Sequence, residues 1–327
     1  MIQHTLGIDI SKDTFDVTLL VDGRDQHKQF KNCSLGFNHL NVWLRKNHAV
    51  QIHACMEATG QYGEKLAEYL YEQGQTVSVV NPHRIKAYAN SKLRRNKTDK
   101  ADSELIAQYC SREIPGKWSP PSASFRDLQA LVRRLDDLQN NYQQESNRLQ
   151  SGTTTLEVVE DLKDHLSYLQ DKIAHIKQAI QEHVDADPEL KRRQSLLVTI
   201  PGIGALTAAK VLGEVRDICE FNSARQLAAY AGITPRNFYS GTSVHKKSRI
   251  SKMGNTNIRK ALYMSAISAK KHNPIVRPFC QRLSDSGKKP KEVICASIHK
   301  LLHLIYGILK SGIPFDPNYL TKQSFAS

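Results

Sequence analysis

The sequence predicts an α/β domain followed by an all-α region. Strand and helix signals alternate over the first hundred residues, a Pro-rich break lies at 114–124, and the apolar patterns after the break are helical. The chain has 327 residues, which is enough for more than one core. We therefore divide it into three segments, 1–120, 121–190 and 191–327.

The first segment has the signals of a mixed sheet with helices packed on it. The predicted order is three strands, a helix, a strand, a helix and a strand, with strands at 5–10, 15–21, 27–33, 52–57 and 76–81. Gly74 closes the second helix. Thr98 is a good N-cap for a long helix that follows.

The middle segment, 121–190, is predicted to form a helical hairpin that resembles a coiled coil. Apolar residues step by three and four along both of its halves, with a turn near 151–155 and an end at 185–190. Such a seam packs either within one chain or between chains, and both arrangements stay open. We expect the chain to dimerise.

Positive charge is concentrated in the last part of the chain. The net charge is +14: residues 1–189 contribute −3 (23 basic, 26 acidic) and residues 190–327 contribute +17 (23 basic, 6 acidic). A field this asymmetric predicts a polyanionic partner, and nucleic acid is the usual one. The alternative is a basic protein that its charge keeps soluble.

Two motifs of the last segment suit a phosphate backbone. The PGIG turn at 201–204 lies between two apolar helical stretches and is predicted to form a helix-hairpin-helix-like motif. Gly202 and Gly204 allow a tight turn whose N–H groups can hold a phosphate. The alternative for this motif is an ordinary pair of helices. A basic loop at 237–252 follows, between two further helices.

Several basic residues are expected to contact nucleic acid. A solvated face is the alternative for those of the run at 91–100. The expected contacts are Arg94, Arg95 and Lys97 in the first segment, and Arg236, Lys246, Lys247, Arg249, Lys252 and Arg259 in the last.

Four acids of the first segment stand out by position. Asp9 lies in the first strand, Glu57 ends the strand at 52–57, and Asp99 and Asp102 share one face near the start of a helix. Brought together, these acids would repel, and a dication resolves that repulsion. Their oxygen ligands suit Mg²⁺ or Mn²⁺, metals that activate an attacking oxygen at phosphorus.

Taken singly, each acid also has an ordinary explanation. Asp99 is a normal first-turn acid of a helix, and Asp102 can pair with a nearby Lys. Taken together, on a fold that begins with strands and precedes a basic helical region, the four acids favour a metal site of the nuclease type.

Other features argue against a membrane or zinc protein. The six cysteines contain no CxxC pair, so we expect reduced thiols in a cytosolic protein. No apolar run reaches the roughly 18 residues of a membrane span, and residues 301–309 read as a core helix. The N-terminus lacks a signal-peptide layout. His299 and His303 are expected to serve packing or the helix surface rather than a metal.

Six motifs resemble those of the DEDD-type transposases of bridge-RNA-guided insertion sequences, a family that also resembles the site-specific invertase of a pilin gene. The resemblance runs from the first strand to about Phe315, with the motifs in the same order and at similar spacing. In chain order they are GIDISKDTFDV, CMEATGQY, NKTDKADSELIA, IPGIG, LAAYAGITPR and YSGTSVHKKSRISKMGNTNIRKALY.

The resemblance implies three parts. The first is a RuvC-like domain of the RNase H fold, in which Asp9, Glu57, Asp99 and Asp102 match the family's catalytic metal ligands. The second is a coiled-coil segment. The third is a helical transposase domain whose attacking serine matches Ser240.

The resemblance also implies an activity. The implied activity is that of an RNA-guided transposase or recombinase. Such an enzyme uses Mg²⁺ to cut one DNA strand at a time and forms a 5′-phosphoserine bond. Strands are exchanged between double-stranded donor and target DNA, which are chosen by pairing with a structured guide RNA. The implied active unit is a tetramer built from dimers, in the bacterial cytoplasm at the nucleoid.

Three other functions stay open on the residues alone. One is a metal-dependent nuclease or Holliday-junction resolvase in which water attacks and Ser240 only binds phosphate; another is a site-specific DNA invertase. A non-catalytic nucleic-acid binder requires the four acids to be coincidental. The group that activates Ser240 is also open: His245 is the nearest base in sequence, and a carboxylate-bound Mg²⁺ is the better candidate.

Overall fold

A computed structural model describes residues 4–21, 24–58, 60–92, 98–152, 155–215, 217–240, 244–251 and 253–318. At Gln61, 236–240 and 244–249 it describes the main chain alone. The chain forms two compact units, Met1–Pro120 and Pro121–Ser327.

The first unit is built on a mixed sheet of five strands. They are β1 (His4–Ile10), β2 (Thr14–Val21), β3 (Arg24–Lys31), β4 (Ile52–Glu57) and β5 (Thr76–Val80), in the order β3-β2-β1-β4-β5. The pairs β1–β2 and β2–β3 are antiparallel, whereas β1–β4 and β4–β5 are parallel. This confirms the mixed α/β fold that the sequence predicts.

Four α-helices of this unit are α1 (Ser34–Lys46), α2 (Glu64–Glu72), α3 (Pro82–Ser91) and α4 (Asp99–Glu113). Thr98 caps α4 as predicted, since its hydroxyl accepts a hydrogen bond from the Ala101 N–H at 3.2 Å. Helix α3 was not among the predicted elements. Its start signals are present, because Asn81 accepts from the His83 N–H and Pro82 is the first helical residue.

The helices cover the two faces of the sheet. Leu40 of α1 and Leu66 of α2 pack with the apolar residues of β1 and β2 on one face. On the other face α4 lies directly on β1 at Gly7. A Cβ on Gly7 would stand 2.2 Å from the Ala107 nitrogen and the Ser103 oxygen, so the close approach requires glycine.

The second unit begins with two long helices, α5 (Ala123–Gln150) and α6 (Leu156–Ala186). They run antiparallel and pack within the chain: His183 hydrogen-bonds the Ser124 carbonyl at 2.8 Å, and His165 lies 3.9 Å from the Glu145 carboxylate. The seam is therefore occupied in cis along this hairpin. The buried apolar residues are Leu128, Val132, Leu135 and Leu138 on α5, and Leu162, Leu169, Ile180 and Val184 on α6.

The rest of the unit is a helical domain around one apolar core. Its helices are α7 (Pro188–Val198), α8 (Ala205–Val215), α9 (Ala224–Tyr230), α10 (Thr256–His272), α11 (Val276–Asp285) and α12 (Pro290–Ser311). Among the described residues, α12 is the one helix long and apolar enough to cross a membrane. Its Leu301, Leu302 and Ile305 lie in the core of this unit, as expected for the core helix predicted at 301–309.

The predicted basic loop at 237–252 is largely a β-hairpin. Strand β6 (Pro235–Ser240) pairs antiparallel with β7 (Val244–Ile250), with a register shift between Arg236 and Phe238. The prediction of a loop was wrong here. Main-chain hydrogen bonds make the pairing, and Ser, Lys and Arg side chains leave no apolar alternation by which to predict it.

Candidate active site

Asp9 and Glu57 end up side by side through the register of the sheet. The pairing of β1 with β4 runs to Ile8 and Met56, and Asp9 and Glu57 are the next residue on each strand. Both strands are parallel and end here, so the two acids lie at the carboxyl ends of the central strands. Residues paired across a sheet point to the same face, which here is the face covered by α4.

Helix α4 runs back along that face from the strand ends. Ser103 and Ala107 lie over Gly7, and further along the helix the Cys110 thiol donates to the His53 carbonyl at 3.8 Å. The Ser103 hydroxyl also meets Thr18 of β2 at 2.8 Å. The first turn of α4, which carries Asp99 and Asp102, is therefore the end nearest the carboxyl end of β1.

Electrostatics shows that these acids affect one another. Burial, together with the charges of Asp102, Asp99 and Asp16 in that order, raises the pKa of Asp9 from 3.8 to about 6. The charges of Asp99 and Asp102 thus act on Asp9, and the register of β1 and β4 places Glu57 next to Asp9. Like charges held this close are typical of a site that binds a cation.

Asp16 is a fifth acid that the sequence analysis missed. It pairs with Asp9 across β1 and β2 and is 5% exposed. Its two oxygens accept hydrogen bonds from His27 at 2.8 Å and Gln29 at 2.9 Å. These bonds occupy both oxygens of Asp16, so it acts as a fixed negative charge behind Asp9. The alternation of the strand at 15–21 already places Asp16 opposite the core face.

The donor set fits a hard divalent cation by its chemistry. Carboxylate oxygens are the ligands that Mg²⁺ and Mn²⁺ prefer, and a cation relieves the repulsion at Asp9. Within the described ranges no group of three or more His, Cys, Asp or Glu side chains stands close enough to hold a metal ion. Sharing an ion would require these carboxylates to turn toward one another by rotation about their side-chain torsions.

A buried pair of thiols lies beneath the acids. Cys55 on β4 and Cys110 on α4 are 0% and 1% exposed and hydrogen-bonded to each other. The bond from Cys55 lowers the pKa of Cys110 to about 6 and raises that of Cys55. Both are free thiols. They join β4 to α4, and so help to fix the helix that carries two of the acids.

Ser240 lies in the second unit, at the last residue of β6. Its main chain pairs with Val244, and Tyr239 pairs with His245. Arg236, Lys246, Lys247 and Arg249 belong to the same two strands, and only their main chains are described. Arg94, Arg95, Lys97 and Lys252 lie outside the described residues.

The two glycines of the PGIG turn have different surroundings. Gly202 has φ +104°, and a Cβ there would stand 2.8 Å from the Cβ of Ala269 on α10. Gly204 is exposed, and a Cβ there would meet no atom within 4 Å. Close packing against Ala269 therefore explains why residue 202 is glycine. Gly204 has free space around it, so a ligand could reach the N-terminus of α8 there.

Arg259 is engaged within its own unit. Its guanidinium donates to the carbonyls of Ala231 at 2.7 Å and Gly254 at 3.3 Å, and to the Thr256 hydroxyl at 2.9 Å. Burial lowers the pKa of this guanidinium. These bonds account for Arg259 without nucleic acid. They also tie the start of α10 to the segment that leads into β6.

A buried carboxylate, Glu214, anchors the same region and had no signal in the sequence. It is 3% exposed and accepts from Arg133 at 3.0 Å, Asn255 at 2.7 Å and Asn257 at 2.9 Å. Burial acts to raise the pKa of Glu214, but these three donors hold it below its ordinary value. Glu214 thus connects α5, α8 and the start of α10, just beyond the hairpin that carries Ser240.

A five-stranded mixed sheet with acids at the ends of its central strands is consistent with the RNase H-like fold of enzymes that cut nucleic acid. Comparison with known families identifies the class. Residues 6–185 match the DEDD domain described as a transposase of the IS110 type. Residues 194–281 match the domain described as transposase IS116/IS110/IS902 family. The chain belongs to this IS110 family of transposases, and it is a DNA-modifying enzyme.

Individual relatives agree with the family. The chain is 36% identical over 319 residues to the pilin gene-inverting proteins of Moraxella bovis and Moraxella lacunata, covering 97% of this chain and 98% of each relative. It is 28% identical over 296 residues to a probable family 20 transposase of Pseudomonas aeruginosa, covering 80% and 82%. The predicted resemblance to DEDD transposases and to a site-specific invertase is thereby confirmed.

Proposed function

We propose that this transposase cuts and rejoins DNA through a covalent bond between Ser240 and a 5′-phosphate, with Mg²⁺ bound by Asp9, Glu57, Asp99 and Asp102. The observation that carries the proposal is the crowding of acids at the carboxyl end of β1. The raised pKa of Asp9, caused by burial and by Asp102 and Asp99, supports a cation there.

The carboxylates have a defined part in this proposal. Asp9 and Glu57 would bind from the strand ends, and Asp99 and Asp102 from the first turn of α4. Bound Mg²⁺, or Mn²⁺ in its place, would supply positive charge that lowers the pKa of an attacking oxygen and stabilises charge on phosphoryl oxygens. Asp16 would keep the local field at Asp9 negative and so favour a bound cation.

The serine step balances without an external energy source. The Ser240 oxygen forms a bond to phosphorus, the bond from phosphorus to the 3′ oxygen breaks, and the 3′ end leaves as a hydroxyl that carries the proton. A 3′ hydroxyl of another strand reverses the step and releases the serine. The bond energy is retained throughout, so rejoining requires no ATP. Lys246, Lys247, Arg249 and Arg236 are our candidates for stabilising the phosphoryl charge.

The partners we propose are double-stranded donor and target DNA and a structured guide RNA from the element itself. The net charge of +17 on residues 190–327 supports a nucleic-acid partner, and the resemblance to bridge-RNA-guided elements supports the RNA. The proposed assembly is a tetramer built from two dimers, in the cytoplasm at the nucleoid. Residues 1–120, 121–190 and 191–327 are the proposed domains.

Site-specific inversion is the second candidate function. It is favoured by the 36% identity, over nearly the whole chain, to proteins named for inverting a pilin gene. Inversion and transposition differ in how the DNA sites are arranged, and both are compatible with the same serine chemistry.

A trapping experiment tests the covalent step. The protein is incubated with suicide DNA whose cut strand cannot be rejoined and is then run on a denaturing gel. We expect a DNA-linked protein band with wild type that is lost in Ser240→Ala and in Asp102→Asn, while Ser248→Ala serves as the matched control and keeps it. An adduct in Ser240→Ala contradicts the assignment. Cleavage by wild type without any adduct favours a resolvase in which water attacks.

A second experiment tests the RNA. The protein is expressed together with its flanking element DNA and purified under native conditions, and bound nucleic acid is extracted. We expect a discrete RNA, resistant to DNase, that is absent when the flanking DNA is omitted. A preparation that never contains RNA contradicts RNA guidance and leaves the serine chemistry untouched.

A further inference from the structure

A basic groove in the second unit has none of the acids, Ser240 or the PGIG glycines in its lining. It is formed by α10, α11 and α12 and has a volume of about 540 Å³. Three cations, Lys270, Lys271 and Arg277, line it. None of the catalytic steps proposed above uses these residues.

The helical period explains how the groove forms. Ile267, Lys270 and Lys271 stand at i, i+3 and i+4 at the end of α10, and Arg277, Cys280 and Gln281 repeat that spacing on α11. Residues so spaced share one helix face, so each helix turns a single stripe toward the groove. Ile294 of α12 also lines the groove.

The corner between α10 and α11 holds the cations in place. Asn273 is fully buried, and its side-chain oxygen accepts from the N–H groups of Ile275 and Val276 at 3.0 Å each. Its amide group donates to the Pro201 carbonyl at 3.1 Å. A buried and satisfied residue of this kind fixes the corner, so Lys271 and Arg277 are presented on a rigid frame. The same bond connects the groove to the PGIG turn.

The charges of the groove are available to an outside anion. Lys270, Lys271 and Arg277 take part in none of the ion pairs found among the described residues. An acid close by on α11, Asp285, accepts a hydrogen bond from Gln281 at 2.8 Å. Three cations on a rigid corner therefore favour an anionic ligand.

The volume and the apolar lining of the groove indicate which kind of anion it can bind. A volume of this size is well above that of a single phosphate and within the range of roughly 300–1,000 Å³ typical of sites for organic ligands. Ile267 and Ile294, both half-buried, supply an apolar surface next to the cations. A nucleotide of a nucleic-acid strand combines these chemistries, with an anionic phosphate and an apolar base.

We infer that this groove binds a single-stranded stretch of nucleic acid, with Lys270, Lys271 and Arg277 on its phosphates and the apolar surface against an unpaired base. A duplex keeps its bases stacked inside and cannot offer one to a recessed apolar surface. The inference rests on the action of the family on DNA and extends the proposed function to a strand-binding site. It does not depend on Ser240.

The test measures binding of fluorescein-labelled oligonucleotides, dT15 and rU15, to the full-length protein by anisotropy. In the triple variant Lys270→Gln, Lys271→Gln, Arg277→Gln we expect at least tenfold weaker binding. Each lost phosphate contact lowers the slope of log affinity against log salt by roughly 0.7 on single strands, so the slope should fall by about 2. The oligonucleotide that loses more affinity shows whether RNA or DNA is the preferred strand, and equal losses show that the groove accepts both.

A charge-matched control separates the groove from net charge. The triple variant Lys163→Gln, Lys172→Gln, Lys177→Gln removes the same three charges from the exposed surface of α6. We expect this control to bind within twofold of wild type, with equal melting temperatures for both triples. Equal binding by the two triple variants overturns the inference.

The apolar surface is tested with the bases removed. We expect wild type to bind dT15 several-fold better than the same strand with abasic sites, and Ile294→Ser to reduce that difference. Equal binding of the two strands by wild type contradicts the base contact. The binding assay contains no strand cleavage, so a failure of the covalent proposal would leave this result standing.

Discussion

At the scale of single residues, the acid site is organised around Asp9. Its carboxyl is half-buried and faces negative charge from two elements, Asp16 across the sheet and Asp99 and Asp102 on α4. Asp16 cannot turn away, because His27 and Gln29 hold both of its oxygens. Repulsion at Asp9 is therefore built into the fold, and a cation at this position would relieve it.

This repulsion predicts how Asp9→Asn alters stability in EDTA. The folded pKa of about 6 lies above the ordinary 3.8, so folded wild type binds more protons than the unfolded chain between these values. The free energy of unfolding of wild type therefore falls as pH rises from 4 to 6. Because water screens part of the repulsion at a half-buried group, we expect Asp9→Asn to be about 1 kcal/mol more stable above pH 6 and equal at pH 4.

Urea unfolding at pH 4, 5, 6 and 8 checks this prediction. Asp13→Asn, which changes an exposed acid in the turn between β1 and β2, serves as the control and should differ little from wild type. A gain from Asp9→Asn that is the same at every pH contradicts the account.

Residue patterns predicted part of this site. Asp9, Glu57, Asp99 and Asp102 were visible because each interrupts an apolar strand or begins a helix. Asp16 and Glu214 were not predicted as buried acids, because a buried acid is recognised by the partners that bind its oxygens. The partners of Glu214 lie 81, 41 and 43 residues away at Arg133, Asn255 and Asn257, and no local pattern records such distances.

At the scale of elements, two close approaches determine the geometry. Helix α4 reaches β1 because residue 7 is glycine, and this brings its first turn to the strand ends. The PGIG turn reaches α10 because residue 202 is glycine with a positive φ. In both cases a side chain would move an element that carries a proposed functional group.

The two glycines of the PGIG turn offer a matched pair of variants. Gly202→Ala forces a residue into a left-handed conformation and against Ala269, so we expect a loss of about 1–3 kcal/mol in the free energy of unfolding. Gly204→Ala meets open space, and we expect it to stay within about 0.5 kcal/mol of wild type. Chemical denaturation of both variants gives the comparison, and equal losses contradict the packing role of Gly202.

Element prediction succeeded where signals are local. Thr98 caps α4 as expected, and the alternation of signals predicted the order of the five strands and first two helices along the chain. The third strand was predicted at 27–33 and runs from Arg24 to Lys31, since its limits follow its pairing with β2 rather than its own polar sequence. The hairpin of β6 and β7 was missed for the same reason.

At the scale of the whole molecule, the crowded acids and the most basic segment of the chain belong to different units. The crowded carboxylates belong to Met1–Pro120, whereas the serine, the basic groove and residues 190–327, with their net charge of +17, belong to Pro121–Ser327. This division predicts that a divalent cation and a nucleic-acid strand are bound by different parts of the chain and can be followed separately.

Hydrogen exchange with and without Mg²⁺ tests that division. A ligand at 100 times its Kd stabilises its site by about 2.7 kcal/mol, so amides at the ends of β1 and β4 and the start of α4 should exchange up to about 100-fold more slowly. Helices α5 to α12 should not change. Asp102→Asn should weaken the protection, and uniform protection of both units contradicts a site at these acids.

The central claim, that Ser240 carries the DNA, is tested most directly by mass spectrometry of the trapped adduct. Trypsin cuts after Arg236 and Lys246, which isolates the peptide 237–246 with Ser240, Thr242 and Ser243. After nuclease digestion of the DNA, we predict a nucleotide attached through phosphate to Ser240. A nucleotide on Thr242 or Ser243, or DNA cleavage with no modified peptide, would contradict the account.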